Sequence, residues 1–412
     1  METKKNRHVF IKGLHGCPMR TADLTQYADF LTANGHRVVD QPEESDVILL
    51  WTCAFRGDFR DNSLKEIHRY MNTYKAELIV AGCLPDIDRQ LLETEYAGRF
   101  FNWRNQEEAL EAHFGAAGKK FSDIPRQLSA GPLTDDLDQY RKEHPDKDIS
   151  FSDQFIKLFV SEGCRFKCSY CSEILAFPRY RSFPEAALIE ECKRQVQDTG
   201  RNEVVLMGDS IADYGCDTGS TLPQLIRKLK SEIPSLRIAL LGFNPAGFIR
   251  YFNDMAEFIR NGWIRHMQLP IPSASPRILR LMNRPYRREH IDKIFSALNN
   301  LHFADFETHI IVGFPGEEEE DFEETIRFIL KHRPRYVLAS QYMESPTMPS
   351  AKLPCKVDPG TKSRRARDAV RQLTHVGILC NADESELSVA RFRKLNQIEE
   401  KEGNRRDLRR SA

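Results

Sequence analysis

Short apolar runs alternate with amphipathic stretches along most of this chain, and that alternation limits it to few folds. Asp46-Val-Ile-Leu-Leu-Trp51, Glu77-Leu-Ile-Val-Ala81 and Phe155-Ile-Lys-Leu-Phe-Val160 are long enough for buried strands and too short for helices. Between such runs lie stretches with helical spacing. One is Thr21 to Ala33, where Leu24, Tyr27, Ala28 and Leu31 recur at three and four residues, and Asn34-Gly35 stops it. Strand, helix, strand in succession means a parallel sheet covered by helices, an α/β fold. Residues 1–114 read as a doubly wound, flavodoxin-like domain with strands at 8–14, 37–39, 46–51 and 77–81 and helices near 58–74 and 107–114. Residues 115–150 turn polar and Pro/Gly-punctuated and read as a linker. Over 151–350 the alternation resumes six times, with strands near 155–161, 203–208, 237–243, 266–271, 307–314 and 336–343, which fits an open, partial (β/α)6 barrel. Residues 361–412 hold 13 Lys/Arg against 8 Asp/Glu. We read 351–412 as a helical, basic extension whose end is solvated.

The cysteines carry the chemistry. Cys164, Cys168 and Cys171 stand at C-x3-C-x2-C directly after the strand at 155–161. Three thiolates on one loop hold three corners of a cubic iron–sulfur cluster and leave one iron open, whereas ordinary carriers fill all four. A zinc site would want a fourth Cys or His, and none follows within twenty residues of Cys171. Cys17, Cys53 and Cys83 are far apart in sequence, yet each stands just past a predicted strand. In a parallel sheet those ends share one edge, where ligands bind, so the three are expected to converge on a second cluster with an open iron. Cys192, Cys216, Cys355 and Cys380 have no grouping.

Composition narrows the setting. Lys plus Arg and Asp plus Glu both number 60, so no overall basic field advertises nucleic acid. No apolar run is long enough to span a membrane and no signal peptide is evident. With six of its ten cysteines grouped in this way, a reducing, cytoplasmic setting without membrane partners is expected.

The two three-cysteine sets, with Tyr170 directly before Cys171, resemble those of the radical S-adenosylmethionine (SAM) methylthiotransferases. Matching strings continue downstream: Glu203-Val-Val-Leu-Met-Gly208 with Tyr214-Gly215, Met282-Asn-Arg-Pro-Tyr286, and Ile310-Ile-Val-Gly-Phe-Pro-Gly-Glu317 with Asp321-Phe322. The resemblance covers roughly residues 7–350 and implies two [4Fe–4S] clusters and SAM as both radical source and methyl donor. The cluster at Cys164/Cys168/Cys171 would bind SAM and yield a 5′-deoxyadenosyl radical, which takes hydrogen from a substrate carbon. The cluster at Cys17/Cys53/Cys83 would hold the sulfur that is methylated and transferred. An electron donor of flavodoxin or ferredoxin type and a sulfur donor are implied as partners. By position, the resemblance implies SAM contacts from Met207, Gly208 and Asp209, from Tyr170 at the adenine, from Asn244 and Pro245 at the ribose, and from Val312, Gly313 and Phe314. Arg181 would face the SAM carboxylate.

Departures from the family lie where substrate should sit. The usual Pro-x-Gln-Ser-Gly-Ser is Pro270-Ile-Pro-Ser-Ala-Ser275, Thr-Asp is Thr308-His309, and the acidic residue before Pro245 is Asn244. The usual Tyr-Ser-x-Arg-x-Gly-Thr-Pro-Ala is Met343-Glu-Ser-Pro-Thr-Met-Pro-Ser-Ala351. No C-terminal TRAM barrel is recognisable. The substrate expected is a peptide or natural-product precursor or small molecule, with transfer RNA the alternative. A radical SAM enzyme that cross-links or oxidises, with the first cluster conducting electrons or anchoring substrate, is the competing activity. A non-enzymatic cluster or RNA-binding regulator is a third reading. Cobalamin is not expected, since the first domain has no Asp-x-His-x-x-Gly string.

Overall fold

The computed structural model describes residues 6–14, 17–130 and 155–382. In the first domain, strands β1 (His8–Gly13), β2 (Arg37–Val39), β3 (Val47–Thr52), β4 (Glu77–Gly82) and β5 (Arg99–Phe100) form a parallel five-stranded sheet in the order β2-β1-β3-β4-β5, the flavodoxin-like order. The central strand β3 is buried throughout, as a strand covered on both faces must be. Helices α1 (Pro18–Ala33), α2 (Gly57–Thr73), α3 (Leu84–Ile87), α4 (Arg89–Glu95) and α5 (Gln106–Phe114) flank it. Tyr27, Phe30, Trp51 and Phe114 fill one side of the sheet, and Ile48, Leu50, Ile67 and Val80 the other. The two-residue β5 had no sequence signal.

The reading of 115–150 as a linker is corrected for its first part. Phe121 and Ile124 are buried in the first domain's core, and β6 (Ser129–Ala130) pairs antiparallel with β7 (Ile156–Phe159) at the edge of the second sheet. A polar stretch with few apolar anchors reads as a linker even where those anchors are buried.

The second domain continues with a short hairpin of β8 (Ser161–Glu162) and β9 (Arg181–Ser182), around the turn helix α6 (Glu173–Ala176). Strands β10 (Glu203–Met207), β11 (Arg237–Leu240), β12 (Ile264–Gln268), β13 (Phe306–Val312) and β14 (Tyr336–Gln341) follow β7 in parallel order. Helices α7 (Glu185–Thr199), α8 (Leu222–Glu232), α9 (Pro245–Arg250), α10 (Phe252–Arg260), α11 (Pro276–Leu281), α12 (Arg288–Asn300) and α13 (Glu319–His332) connect them and bury the outer core. The result is an open barrel.

One boundary moves. The chain beyond 350 is not wholly an appendage: α14 (Pro359–His375) crosses back over the barrel, and β15 (Leu379–Ala382) adds a seventh parallel strand beside β14. Ala366, Ala369 and Leu373 join the outer core. The Arg-rich helix read as part of a separate extension because its apolar residues are small and few. Helical spacing expected over 386–399 lies outside the described residues.

Candidate active site at the junction of the two domains

Each thiol of the first set is placed by backbone at a strand's C-terminal end. Cys17 opens α1 in extended conformation without using its side chain as a cap. The Cys53 backbone is clamped by Ser63, whose hydroxyl accepts from Cys53 N–H at 3.0 Å and donates to its carbonyl at 2.8 Å. Gly82 lies at φ +94°, and a Cβ there would come within 2.3 Å of the Thr52 carbonyl. Only glycine lets β4 turn toward β3 at that point, and Cys83 follows it. The three thiols do converge: Cys53 and Cys83 hydrogen-bond, and Cys83 also lies within electrostatic reach of Cys17. The hydrogen bond lowers the Cys53 pKa; it raises that of Cys83, whose burial pushes it up further.

The second set sits on the loop after β8. Gly163, at φ +76°, packs so closely on Arg179 that a Cβ would fall 2.3 Å from its carbonyl. The loop is pinned from the Met282–Tyr286 segment. Ser169 donates from its N–H to Met282 O at 3.0 Å and from its hydroxyl to Leu281 O at 2.8 Å, and Asn283 Nδ2 donates to Lys167 O at 2.6 Å. Burial pushes the Cys164 pKa up to about 12 and that of Cys171 well above its usual range. Neutral thiols are costly to ionise in such a place unless a cation comes with them. Among the described residues, no three His, Cys, Asp or Glu side chains are arranged to hold a single metal ion. A donor set of three thiols on one buried loop fits a [4Fe–4S] cube, whose ligands stand on separate irons. Ser172 Oγ, next to Cys171, is buried without a hydrogen-bond partner.

Between the sets lies an ionic knot that sequence reasoning missed. Arg20, three residues past Cys17, pairs with Asp23 at 3.0 Å and reaches across to Asp209 at 3.2 Å. Its guanidinium lies over Phe177, 3.5 Å from the ring centroid, with Trp103 at 5.2 Å. Glu173 hydrogen-bonds Asp209, and burial followed by the Asp209 charge pushes the Glu173 pKa well up. Cys17 and Cys53 of the first set and Cys164 of the second are all within electrostatic reach of this carboxyl pair. A lone arginine on an amphipathic helix reads as solvent-facing, so only its i+3 spacing from Cys17 hinted at the role.

The proposed SAM contacts are placed as follows. Met207 ends β10, and a Cβ on Gly208 would meet Ser161 O at 2.8 Å. The Asp209 side chain is taken by Arg20 and by Gly163 N–H, which donates to it at 2.7 Å. Asn244 caps α9 through Ala246 N–H at 2.9 Å, with Pro245 first in the helix. Val312 ends β13, Gly313 sits at φ +74°, and Phe314 packs edge-on against Tyr170 with centroids 6.2 Å apart. Arg181 stands apart from this group. Its largely exposed guanidinium is held by Glu162 at 2.9 Å.

Arg284, within the Met282–Tyr286 string, reaches the second cysteine set. Its Nη1 donates to Cys168 Sγ at 3.1 Å, and its other nitrogens reach Pro270 O at 3.3 Å and Tyr286 OH at 3.0 Å.

Both halves of the chain resemble known proteins. Residues 158–329 match the family described as Radical SAM superfamily, and residues 8–100 match Uncharacterized protein family UPF0004. A probable threonylcarbamoyladenosine tRNA methylthiotransferase of Pyrococcus horikoshii is 27% identical over 82% of this chain and 77% of its own. A ribosomal protein uS12 methylthiotransferase RimO of a Thermotoga species is 29% identical over 94% of this chain and 87% of its own. Among solved structures, the radical SAM methyltransferase TsrM from Kitasatospora setae, with cobalamin and a [4Fe-4S] cluster bound, has a TM-score of 0.58. It is 13% identical and aligns over 84% of this chain and 77% of its own, a likeness of fold alone.

Proposed function

Because this chain belongs to the radical SAM methylthiotransferase family, an enzyme family that uses SAM and [4Fe–4S] clusters, we propose that it converts a C–H bond of a peptide to a C–S–CH3 group. The observation that carries this reading is the junction of the two cysteine loops at Asp209, which pairs at 3.2 Å with Arg20, three residues past Cys17, and accepts at 2.7 Å from the N–H of Gly163, next to Cys164. When bound, the clusters and SAM supply the one-electron chemistry and the methylthio group.

This chain's own residues position the parts. Cys164, Cys168 and Cys171 hold one cluster, with the loop fixed by Ser169 and Asn283. Cys17, Cys53 and Cys83 hold the other. The backbone of Met207 and Gly208 and the ring of Tyr170 line the SAM side, while Asp209 serves the knot rather than the cofactor. Ion pairs from Arg20 to Asp209 keep the two halves in register. The loop after β14 bridges them: Ser350 N–H donates to Ser169 O at 2.9 Å, and Thr347 Oγ1 to Ile87 O at 3.3 Å. Its sequence departs from the family's, which supports a substrate of this chain's own. No described helix is long and apolar enough to cross a membrane.

A peptide is favoured because the RimO alignment, to an enzyme named for a ribosomal protein, extends over 94% of the chain. The tRNA reading is supported by the Pyrococcus relative. The test is anaerobic incubation of the reconstituted protein with SAM, sulfide and a reductant, on peptide libraries and on unmodified tRNA. A methylthio mass gain on peptide is the expected outcome. Gain on tRNA alone would replace the substrate, and 5′-deoxyadenosine without methylthio product on either would overturn the transfer itself. In the Cys17/Cys53/Cys83 triple-Ala variant, iron should fall from roughly eight atoms per chain to roughly four.

A further inference from the structure

Arg284 is a cation in an unusual position. It is half-buried at the barrel's mouth, and among the described residues it forms no ion pair with a carboxylate. The groups around it are the Cys168 thiol, the hydroxyls of Tyr170 and Tyr286 and the Pro270 carbonyl. A charge partly taken out of water is expensive unless an opposite charge comes with it, and the group within its reach that would turn anionic on holding a cluster is Cys168. We propose that Arg284 is a positioning residue for electron entry: a preformed counter-charge, hydrogen-bonded to Cys168, that raises the reduction potential of the cluster on the Cys164 loop.

The physical case is direct. A one-electron donor takes the cluster core from the 2+ to the 1+ state, no bond forms or breaks, and the site gains one negative charge. A guanidinium donating to a ligand sulfur stabilises the more negative state, and hydrogen bonds to cluster sulfurs are a known lever on such potentials. The low dielectric around a buried site strengthens both effects. Arg284 is also held from several sides. Pro270 O and Tyr286 OH fix two of its nitrogens, and Asn283, its neighbour, lies at φ +53° and holds Lys167 O on the same cysteine loop. The Asn-Arg-Pro-Tyr string thus sets the loop's shape with one residue and its charge with the next.

The proposal rests on the cluster placement given above, and its test is separable from that reading. The full-length Cys17/Cys53/Cys83 triple-Ala protein, reconstituted anaerobically, carries a single cluster whose midpoint potential is read by EPR-monitored titration with dithionite and mediator dyes. Arg284→Gln, which keeps a donor and drops the charge, should hold the same iron and show a potential more negative by about 59 mV or more, a tenfold lower reduced-to-oxidised ratio at a fixed potential. Arg284→Lys, which keeps the charge and loses the planar fork, should fall between the two. An unchanged potential in Arg284→Gln at full iron content overturns the proposal. Loss of iron from both variants also overturns it, since Arg284 would then serve assembly. Failure of the parent protein to hold any reducible cluster would sink the functional reading first, and is told apart by the parent's own iron content.

Discussion

Arg365 shows how a residue's meaning depends on what it reaches. In sequence it is one arginine of a basic stretch; in the structure it is 4% exposed and pairs with Glu317 at 2.8 Å. Glu317 in turn accepts from Gly313 N–H at 2.6 Å, so the pair fixes the turn after β13. Burial is the main cause that pushes the Glu317 carboxyl up to about 7, with Asp321 adding to it and Gly313 and Arg365 opposing it. A carboxyl whose folded pKa is raised favours folding at low pH, and that contribution is lost as pH climbs from about 4.5 through about 7. Arg365→Met removes an opposing cation and moves the folded pKa higher still. The variant should therefore lose more stability relative to wild type at pH 8 than at pH 5.5. The difference should approach about 1.4 kcal/mol, the ceiling at one pH unit above a folded pKa of about 7, read by urea unfolding at the two pH values. An equal loss at both would show that Glu317 does not titrate there.

At the level of elements, the strands and cysteine loops were legible because each apolar run is dense and each grouped thiol follows one. Boundaries in β3 and β10 fall within a residue or two of those expected, since Val47–Thr52 and Glu203–Met207 have little choice but to be buried. The structure departs from the reading where burial rests on few or small residues. β15 is Leu-Cys-Asn-Ala, with a polar residue in four, and α14 packs through two alanines and a leucine amid five Arg and Lys. Such elements are specified by the surface they meet. Arg20 was illegible for a related reason, since its partners Asp209 and Phe177 come from another domain. If α14 is core, Leu373→Ala should cost about 2–5 kcal/mol, measured as a lowered urea midpoint. Were the segment a solvated tail, the change would stay within about 0.5 kcal/mol.

For the whole molecule, the question is what keeps two halves with separate sheets working as one site. Their cores interlock: Met19 and Ala22 of α1 belong to the barrel's core, and Ala176 and Phe177 to that of the first domain. Arg126 adds ion pairs to Asp23 at 2.7 Å and Glu162 at 2.8 Å. Arg20 is the charged link that borders the first cysteine set and, through Asp209, reaches Gly163 beside the second. Replacing it with Met leaves Asp23 with Arg126 but strips Asp209 of its cation, with Glu173 beside it. Removing one partner of a buried pair costs about 3–5 kcal/mol, and here the cost falls on the junction. Each half would keep its own cysteine loop and its own cluster. On the proposed assignment, SAM cleavage needs only the second set, whereas methylthio transfer needs both sets at a fixed separation, and a misplacement of about 1 Å can cost a hundredfold. Arg20→Met should thus retain iron at the wild-type level and continue to release 5′-deoxyadenosine, while methylthio product falls by roughly a hundredfold. The ratio of the two products, measured in one reaction, is the readout. If both fall together, the knot serves the radical step rather than the joining of the two halves.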